Sequence, residues 1–324
     1  MSFDLILPFL RPIEHLILDP EISEIMVNGN RRVFIERDGR IEEIPSPGLQ
    51  ERSLQAAVKN IARILGDDIS EERPMLDSRL PDGSRVAAIF PPCSIGGTTL
   101  SIRKFQARHF TAEQLVQIGA LPSDLLSILK HAVESRQNIL ISGGAGTGKT
   151  TLLNALANYI SDEERLVIIE DTAEIQVSKP NIVRLEARRG QPEMPAVTIR
   201  DLLHSTLRLR PDRILVGEVR GGEAFDLLQA LNTGHSGSLS TIHANSASHA
   251  LARFASLTLQ SDIHLPYTAV RLNLAETVNL IVHLERRQGV RRVVEVDVVT
   301  GYGQAQDQFQ TRRLYSTEKS GASL

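Results

Sequence analysis

Tryptophan is absent from this chain of 324 residues, and aromatic side chains make up only 4% of it. Proteins that track single-stranded nucleic acid stack bases on such rings inside basic grooves, so a track of that kind is not expected. Nor is there an excess of positive charge. The 36 lysines and arginines face 39 acidic residues, a formal net charge of −3. That balance excludes a surface that is one large nucleic-acid footprint, while leaving room for a local basic stripe. Cysteine is reduced to Cys93, which leaves no intrachain disulfide and fits a reducing compartment. No apolar run approaches the ~18 residues that a membrane-spanning helix needs. Asp4 stands where a signal peptide carries basic residues, and Pro8 and Arg11 interrupt the apolar stretch, so no secretory signal is expected.

What is present reads as an ordinary globular composition, 41% hydrophobic and 23% charged. The length suggests two domains. Residues 1–105 read as a mixed α+β unit. Ser23–Asn28 is a strand ending in the turn signal Asn28-Gly29, and Asp38-Gly39 marks a hairpin between Val33–Ile35 and Ile41–Ile44. Leu54, Ala57, Val58, Ile61, Ala62 and Leu65 recur at helical spacing across residues 50–65. Asp82-Gly83 introduces a strand over Ser84–Phe90. A further strand over Thr98–Phe105 sets Arg103 on the face opposite Ile102. Residues 106–121 read as a linker, polar at first and punctuated by Gly119 and Pro122. From 122 to 324 strands and helices alternate, which predicts an α/β domain on a parallel sheet. The runs Asn138–Ser142, Leu166–Ile169 and Ile214–Val216 are apolar on both faces, as buried central strands are. Helices are predicted over Lys149–Ile160 and Thr198–Leu209, and the polar tail from Gln304 to Leu324 is expected to fray in part.

Residues 143–150 read GGAGTGKT and match G-x-x-x-x-G-K-[ST], with Gly143, Gly148, Lys149 and Thr150 in the fixed places. The pattern has a physical cause: backbone amides must approach an anion closely, and side chains at the glycine positions would block them. Gly143, Gly144, Ala145, Gly146, Thr147, Gly148, Lys149, Thr150 and Thr151 therefore form a predicted phosphate cradle at the start of a helix. Lys149 supplies a point charge to the β- and γ-phosphates of ATP, and the Thr150 hydroxyl suits Mg²⁺. Average residue usage gives a chance match in about 1 in 100 chains of this length. Nucleotide binding follows.

Hydrolysis needs carboxylates at the ends of neighbouring strands. LVIIED delivers Glu170 and Asp171, with Glu174 one turn on, and RILVGE delivers Glu218 after Gly217. Any one such carboxylate could instead cap the next helix. Two beside a phosphate loop favour metal and water chemistry. Glu218 is the expected Walker-B acid that holds the metal or its water, and Glu170 the expected group that polarises the attacking water; the two roles can be exchanged. The segment 232–244 (NTGHSGSLSTIHA) adds His235 and His243. Zinc is a poor reading, since no second ligand pair accompanies them. Two readings stay open: hydrogen-bonded histidines in a turn, or His243 sensing the γ-phosphate as a donor.

At these residues the chain resembles the type II/type IV secretion-system ATPase superfamily, the hexameric traffic ATPases of conjugation, effector secretion and pilus assembly. GGAGTGKTT resembles its Walker A loop and IIEDTAEI its Asp box. RPDRILVGEVRGGEA resembles Walker B, with Glu218 and Arg220, and TGHSGSLSTIHANSA resembles the His box. ISEIMVNG, PMLDSRLPDGSRVAAIFPP and LSIRKF resemble the conjugal-transfer and Flp/Tad-pilus branch. The resemblance covers residues 20–300. It implies a RecA-like P-loop ATPase domain with a parallel-core sheet, preceded by a smaller PAS-like domain, with nucleotide between them. It also implies that Arg85 and Arg103 reach the phosphates from the N-terminal domain. The implied partners are five further copies in a homo-hexamer and the inner-membrane proteins of a secretion or pilus machine. The implied location is cytoplasmic, peripheral to the inner membrane, and no direct sequence-specific nucleic-acid binding is expected. Two other classes compete with this motor: a RecA-like DNA helicase, and a nucleotide-dependent assembly adaptor without turnover. The low aromatic content opposes the first, and Glu170 with Glu218 opposes the second.

Overall fold

In the computed structural model the described residues are 4, 6–29, 32–37, 39–45, 48–105, 110–188, 190, 194–262, 265–287 and 289–317. The chain divides into two compact units, Met1–Arg108 and His109–Leu324.

The first unit contains helix α1 (Glu14–Leu18), strands β1 (Ile22–Asn28), β2 (Arg32–Arg37) and β3 (Arg40–Ile44), helix α2 (Glu51–Ile64), then β4 (Met75–Arg79), β5 (Arg85–Ile89) and β6 (Thr99–Arg103). Its strands pair antiparallel in the order β3-β2-β1-β6-β5-β4. Alternation decides which side is dry. Ile25 and Val27, Val86 and Ala88, Leu100 and Ile102 are buried beneath Leu54, Val58 and Ile61 of α2. The other face carries the polar partners, so Ile102 is buried while Arg103 is exposed. The predicted hairpin has β2 and β3 in register at Arg37 opposite Arg40; Asp38 of its turn lies outside the described residues.

The second unit comprises α3 (Ala112–Gln117), α4 (Ser123–Glu134), β7 (Ile139–Gly143), α5 (Lys149–Ala157), β8 (Leu166–Glu170), β9 (Ile182–Glu186), α6 (Ile199–Thr206), β10 (Arg213–Val219), α7 (Glu223–Asn232), β11 (Leu239–Ile242), α8 (Ala247–Thr258), α9 (Tyr267–Thr277), β12 (Leu280–Arg287), β13 (Val290–Gly303) and β14 (Gln308–Ser316). Eight strands form one sheet in the order β14-β13-β12-β7-β11-β10-β8-β9. The six from β12 to β9 are parallel, and β13 and β14 add an antiparallel flank. The fold class is thus α/β with a mixed sheet. β7 and β8 are buried at every position, because an apolar core covers each face of the sheet. No helix among the described residues is long and apolar enough to cross a membrane.

Two segments hold regular structure that their polar sequence does not announce. The linker over 106–121 contains α3, which starts at a Thr111–Gln114 capping box and buries Ala112 and Leu115 with Leu121 in the second unit's core. Residues 106–109 of that span lie outside the described residues. Within the tail, 308–316 is β14, paired with β13 from Gly303 opposite Gln308 to Glu295 opposite Ser316. Residues 318–324 lie outside the description.

Candidate functional site

β7 ends at Gly143, and the loop from there to Gly148 turns directly into α5. Gly148 is the N-cap of that helix at φ +97°, a left-handed conformation that a side chain would strain. The Thr147 hydroxyl donates to the Gly144 carbonyl at 3.0 Å and closes the loop on itself. Lys149 is buried, and its Nζ donates to the carbonyls of Gly144 (2.9 Å) and Gly143 (3.2 Å). Burial lowers its pKa, a pull that Glu218 partly opposes.

Glu218, near the end of β10, is the centre of the charged network. Its Oε2 accepts from Arg220 Nε at 2.8 Å and from Nη2 at 2.5 Å, and Arg220 extends on to Asp171 just past β8. Its Oε1 lies 2.5 Å from Nε2 of His243, one residue beyond β11. The Nδ1 of the same imidazole lies 3.4 Å from Lys149 Nζ. Burial and then the Lys149 charge lower the His243 pKa, so the neutral ring is favoured. The partners choose its tautomer: Nε2 carries the proton toward the carboxylate and Nδ1 accepts from the ammonium. For Arg220 burial works against the charge, but Asp171 and Glu218 outweigh it and raise the pKa. A continuous path therefore runs Asp171–Arg220–Glu218–His243–Lys149, from the end of one strand to the glycine-rich loop.

Glu170 sits apart from this path. It ends β8, is 3% exposed, and its Oε1 accepts the backbone N–H groups of Glu174 (2.9 Å) and Ile175 (2.8 Å). Burial nevertheless dominates and pushes its pKa up to about 7. Gly217 makes the room: a Cβ there would lie 2.9 Å from Glu170 Cγ. Glu174 faces the loop helix, with the Thr150 hydroxyl 3.4 Å from its Oε2.

A profile of the type II/IV secretion system protein family matches residues 9–318. The chain belongs to that family. Conjugal transfer protein TrbB of Rhizobium radiobacter is 38% identical over 305 residues, 93% of this chain and 90% of that one. The type IV secretion system protein PtlH of Bordetella pertussis is 37% identical over 308 residues, 85% and 90% of the two chains. The solved structure of the Legionella pneumophila ATPase DotB is 19% identical, covers 96% of this chain and 80% of its own, and has a TM-score of 0.60. That likeness shows a shared fold.

In this member of the family the remaining predicted residues fall in two places. Arg85 and Arg103 are side by side on β5 and β6, and Arg79 of β4 stands opposite Arg85, so three arginines form a row across the first unit's sheet. Arg85 pairs with Asp77 at 3.5 Å. His235 instead holds the Ala230 carbonyl near the end of α7, at 3.0 Å, a structural duty. Sequence reading gave no role to Thr241, whose hydroxyl donates to the Gly217 carbonyl at 2.6 Å and fixes β11 against β10. No group of three or more His, Cys, Asp or Glu side chains among the described residues could hold a metal alone. Mg²⁺ does not require one: it keeps several waters and takes one or two protein ligands together with substrate phosphates. The Thr150 hydroxyl at the head of α5 and the Glu218 carboxylate suit that donor set.

Proposed function

We propose that this chain hydrolyses ATP, and that it does so as a subunit of a homo-hexameric motor serving type IV secretion, conjugal transfer or pilus assembly at the cytoplasmic face of the inner membrane. The observation that carries the reading is the link Glu218–His243–Lys149. A structural phosphate loop has no need of a carboxylate tied through a neutral imidazole to its lysine, whereas phosphoryl transfer needs both charges held in fixed relation. Under this reading the second unit is a RecA-like ATPase domain and residues 143–151 cradle the phosphates. Lys149 neutralises charge on the β- and γ-phosphates. Thr150 and Glu218 would hold Mg²⁺, which supplies Lewis-acid stabilisation of the phosphate oxygens. Glu218 orients the attacking water, His243 turns its one N–H from Glu218 toward the γ-phosphate once ATP is bound, and Glu170 assists from its buried position. The first unit is a PAS-like domain, and its Arg103 and Arg85 are the guanidinium groups suited to support turnover. The names of the relatives, conjugal transfer and type IV secretion proteins, support the cellular role.

Phosphate release by the full chain tests this. Wild-type protein should turn over ATP, and Lys149→Ala should abolish turnover and weaken ATP binding. Equal turnover in the variant, free of contaminating ATPase, overturns the assignment; ATP binding without turnover in wild type supports the adaptor class instead. Arg103→Ala should lower turnover by as much as ~10³-fold, the low end for an arginine finger. Light scattering over a concentration series with ATP should find a closed ring, and a strict monomer of full activity contradicts one.

A further inference from the structure

The hairpin of β12 and β13 overhangs the phosphate loop. β12 pairs with β7 as far as Leu284 opposite Gly143. Its next residues run beyond the end of β7 and pair only with β13, Glu285 opposite Arg292 and Arg286 opposite Arg291. Contact with the loop is close at two points. A Cβ on Gly143 would lie 2.5 Å from the Leu284 carbonyl oxygen, and one on Gly148 would lie 3.9 Å from Arg291 Cδ. The alkyl stem of Arg291 therefore lies over the glycine that opens α5. Within the hairpin Arg287 is paired with Glu285 at 2.5 Å. The Arg291 guanidinium has no ion-pair partner among the described residues. An unpaired guanidinium carried past the carboxyl end of a parallel strand, over a phosphate loop, is placed to bind phosphate.

The strand order says which phosphate. β7 lies between β11 and β12. His243 follows β11 and Glu218 belongs to β10, so the acidic network occupies one flank of the loop. A polyphosphate whose terminal group meets Lys149 and Glu218 directs its other phosphates and its nucleoside toward the β12 flank. We propose that Arg291 is a nucleotide-binding residue that grips the α-phosphate end of a bound nucleoside di- or triphosphate. This rests on the nucleotide reading above and adds the flank from which the ligand is held. Because ADP and ATP share that end, Arg291 contributes to both alike, whereas a group at the γ-phosphate favours ATP.

Calorimetric titration of the full chain with ADP and with a non-hydrolysable ATP analogue tests it. Arg291→Ala should raise Kd for both by the same factor, about tenfold, the low end for a hydrogen bond to a charged group. Arg291→Lys should recover part of the loss, since it restores the charge but not the fork. In turnover KM should rise while kcat stays within about twofold, as for uniform binding. Arg292, on the opposite side of the hairpin by strand alternation, gives the control Arg292→Ala, which should leave Kd unchanged. Unchanged ADP affinity in Arg291→Ala overturns the proposal, as does loss confined to the ATP analogue, or an equal loss in Arg292→Ala. If the wild-type chain binds neither nucleotide, the failure belongs to the underlying reading and is seen before any variant is made.

Discussion

The ends of β8 and β10 make an instructive pair. Both are apolar parallel strands, they are neighbours in the sheet, and each delivers a glutamate toward the same edge. Yet Glu170 turns into the protein, where two backbone N–H groups hold it and burial keeps it close to neutrality. Glu218 turns toward the loop, where Arg220 and His243 hold it. The difference arises from one residue. Gly217 leaves the space that the Glu170 side chain fills, and the same glycine precedes Glu218. A strand end fixes how far a carboxylate reaches; its neighbours fix whether it is charged.

The largest effect should separate the two glutamates by chemistry. Glu218→Gln keeps the side chain's shape but removes the charge, so turnover should fall roughly 10²-fold or more while ATP still binds. Glu170→Gln should cost less than about tenfold, because the amide oxygen can still accept the same two N–H groups. If Glu170→Gln is instead the binding-competent dead enzyme, the division of roles is reversed. Single-turnover kinetics with parallel binding titrations read both.

A smaller effect concerns pH. Burial on folding raises the Glu170 pKa from its ordinary carboxylate value of 4.5 to about 7. The native state thus binds the extra proton, and stability is fully present below about 4.5 and lost as pH rises through 7. The loss is at most about 3 kcal/mol. Gln does not titrate, so the melting temperature of wild type relative to Glu170→Gln should fall by several degrees between pH 5 and pH 8. A constant difference across that window contradicts the buried, proton-binding Glu170. The smallest effect should come from Gly217→Ala. The added methyl crowds Glu170 Cγ, and overpacking of this kind costs about 1–3 kcal/mol. Thermal unfolding should show the loss, and Glu170→Ala in the same chain should relieve part of it.

The glycine-rich loop between β7 and α5, the buried central strands and the acidic strand ends are legible in the sequence because each rests on a local requirement: small residues at a tight turn, apolar runs in a two-sided sheet, a carboxylate at a fixed offset. What escaped depends on distant partners. α3 has few apolar positions, and only the surroundings of Ala112, Leu115 and Leu121 show that they are core. β14 reads as a polar tail because it is an edge strand, with Phe309, Leu314 and Tyr315 only partly buried. Of the two open readings for His243, the turn and the sensor, neither anticipated that its ring touches a carboxylate 25 positions earlier and a lysine 94 earlier. Glu170 was placed correctly at its strand end, but its burial depends on a gap in the next strand.

Lys149 has three ammonium hydrogens, and the protein itself offers three acceptors: two loop carbonyls and the His243 ring. Under the proposed function, phosphate capture at this lysine is therefore a substitution. Every bond it makes to an incoming oxygen is taken from the loop or from the imidazole. The net affinity that the lysine adds is correspondingly less than its charge alone suggests. The bond given up to His243 matters most, because that ring also rests on Glu218. Under that reading, whatever engages the lysine changes what the imidazole accepts, and the same ring touches the acid two strands away.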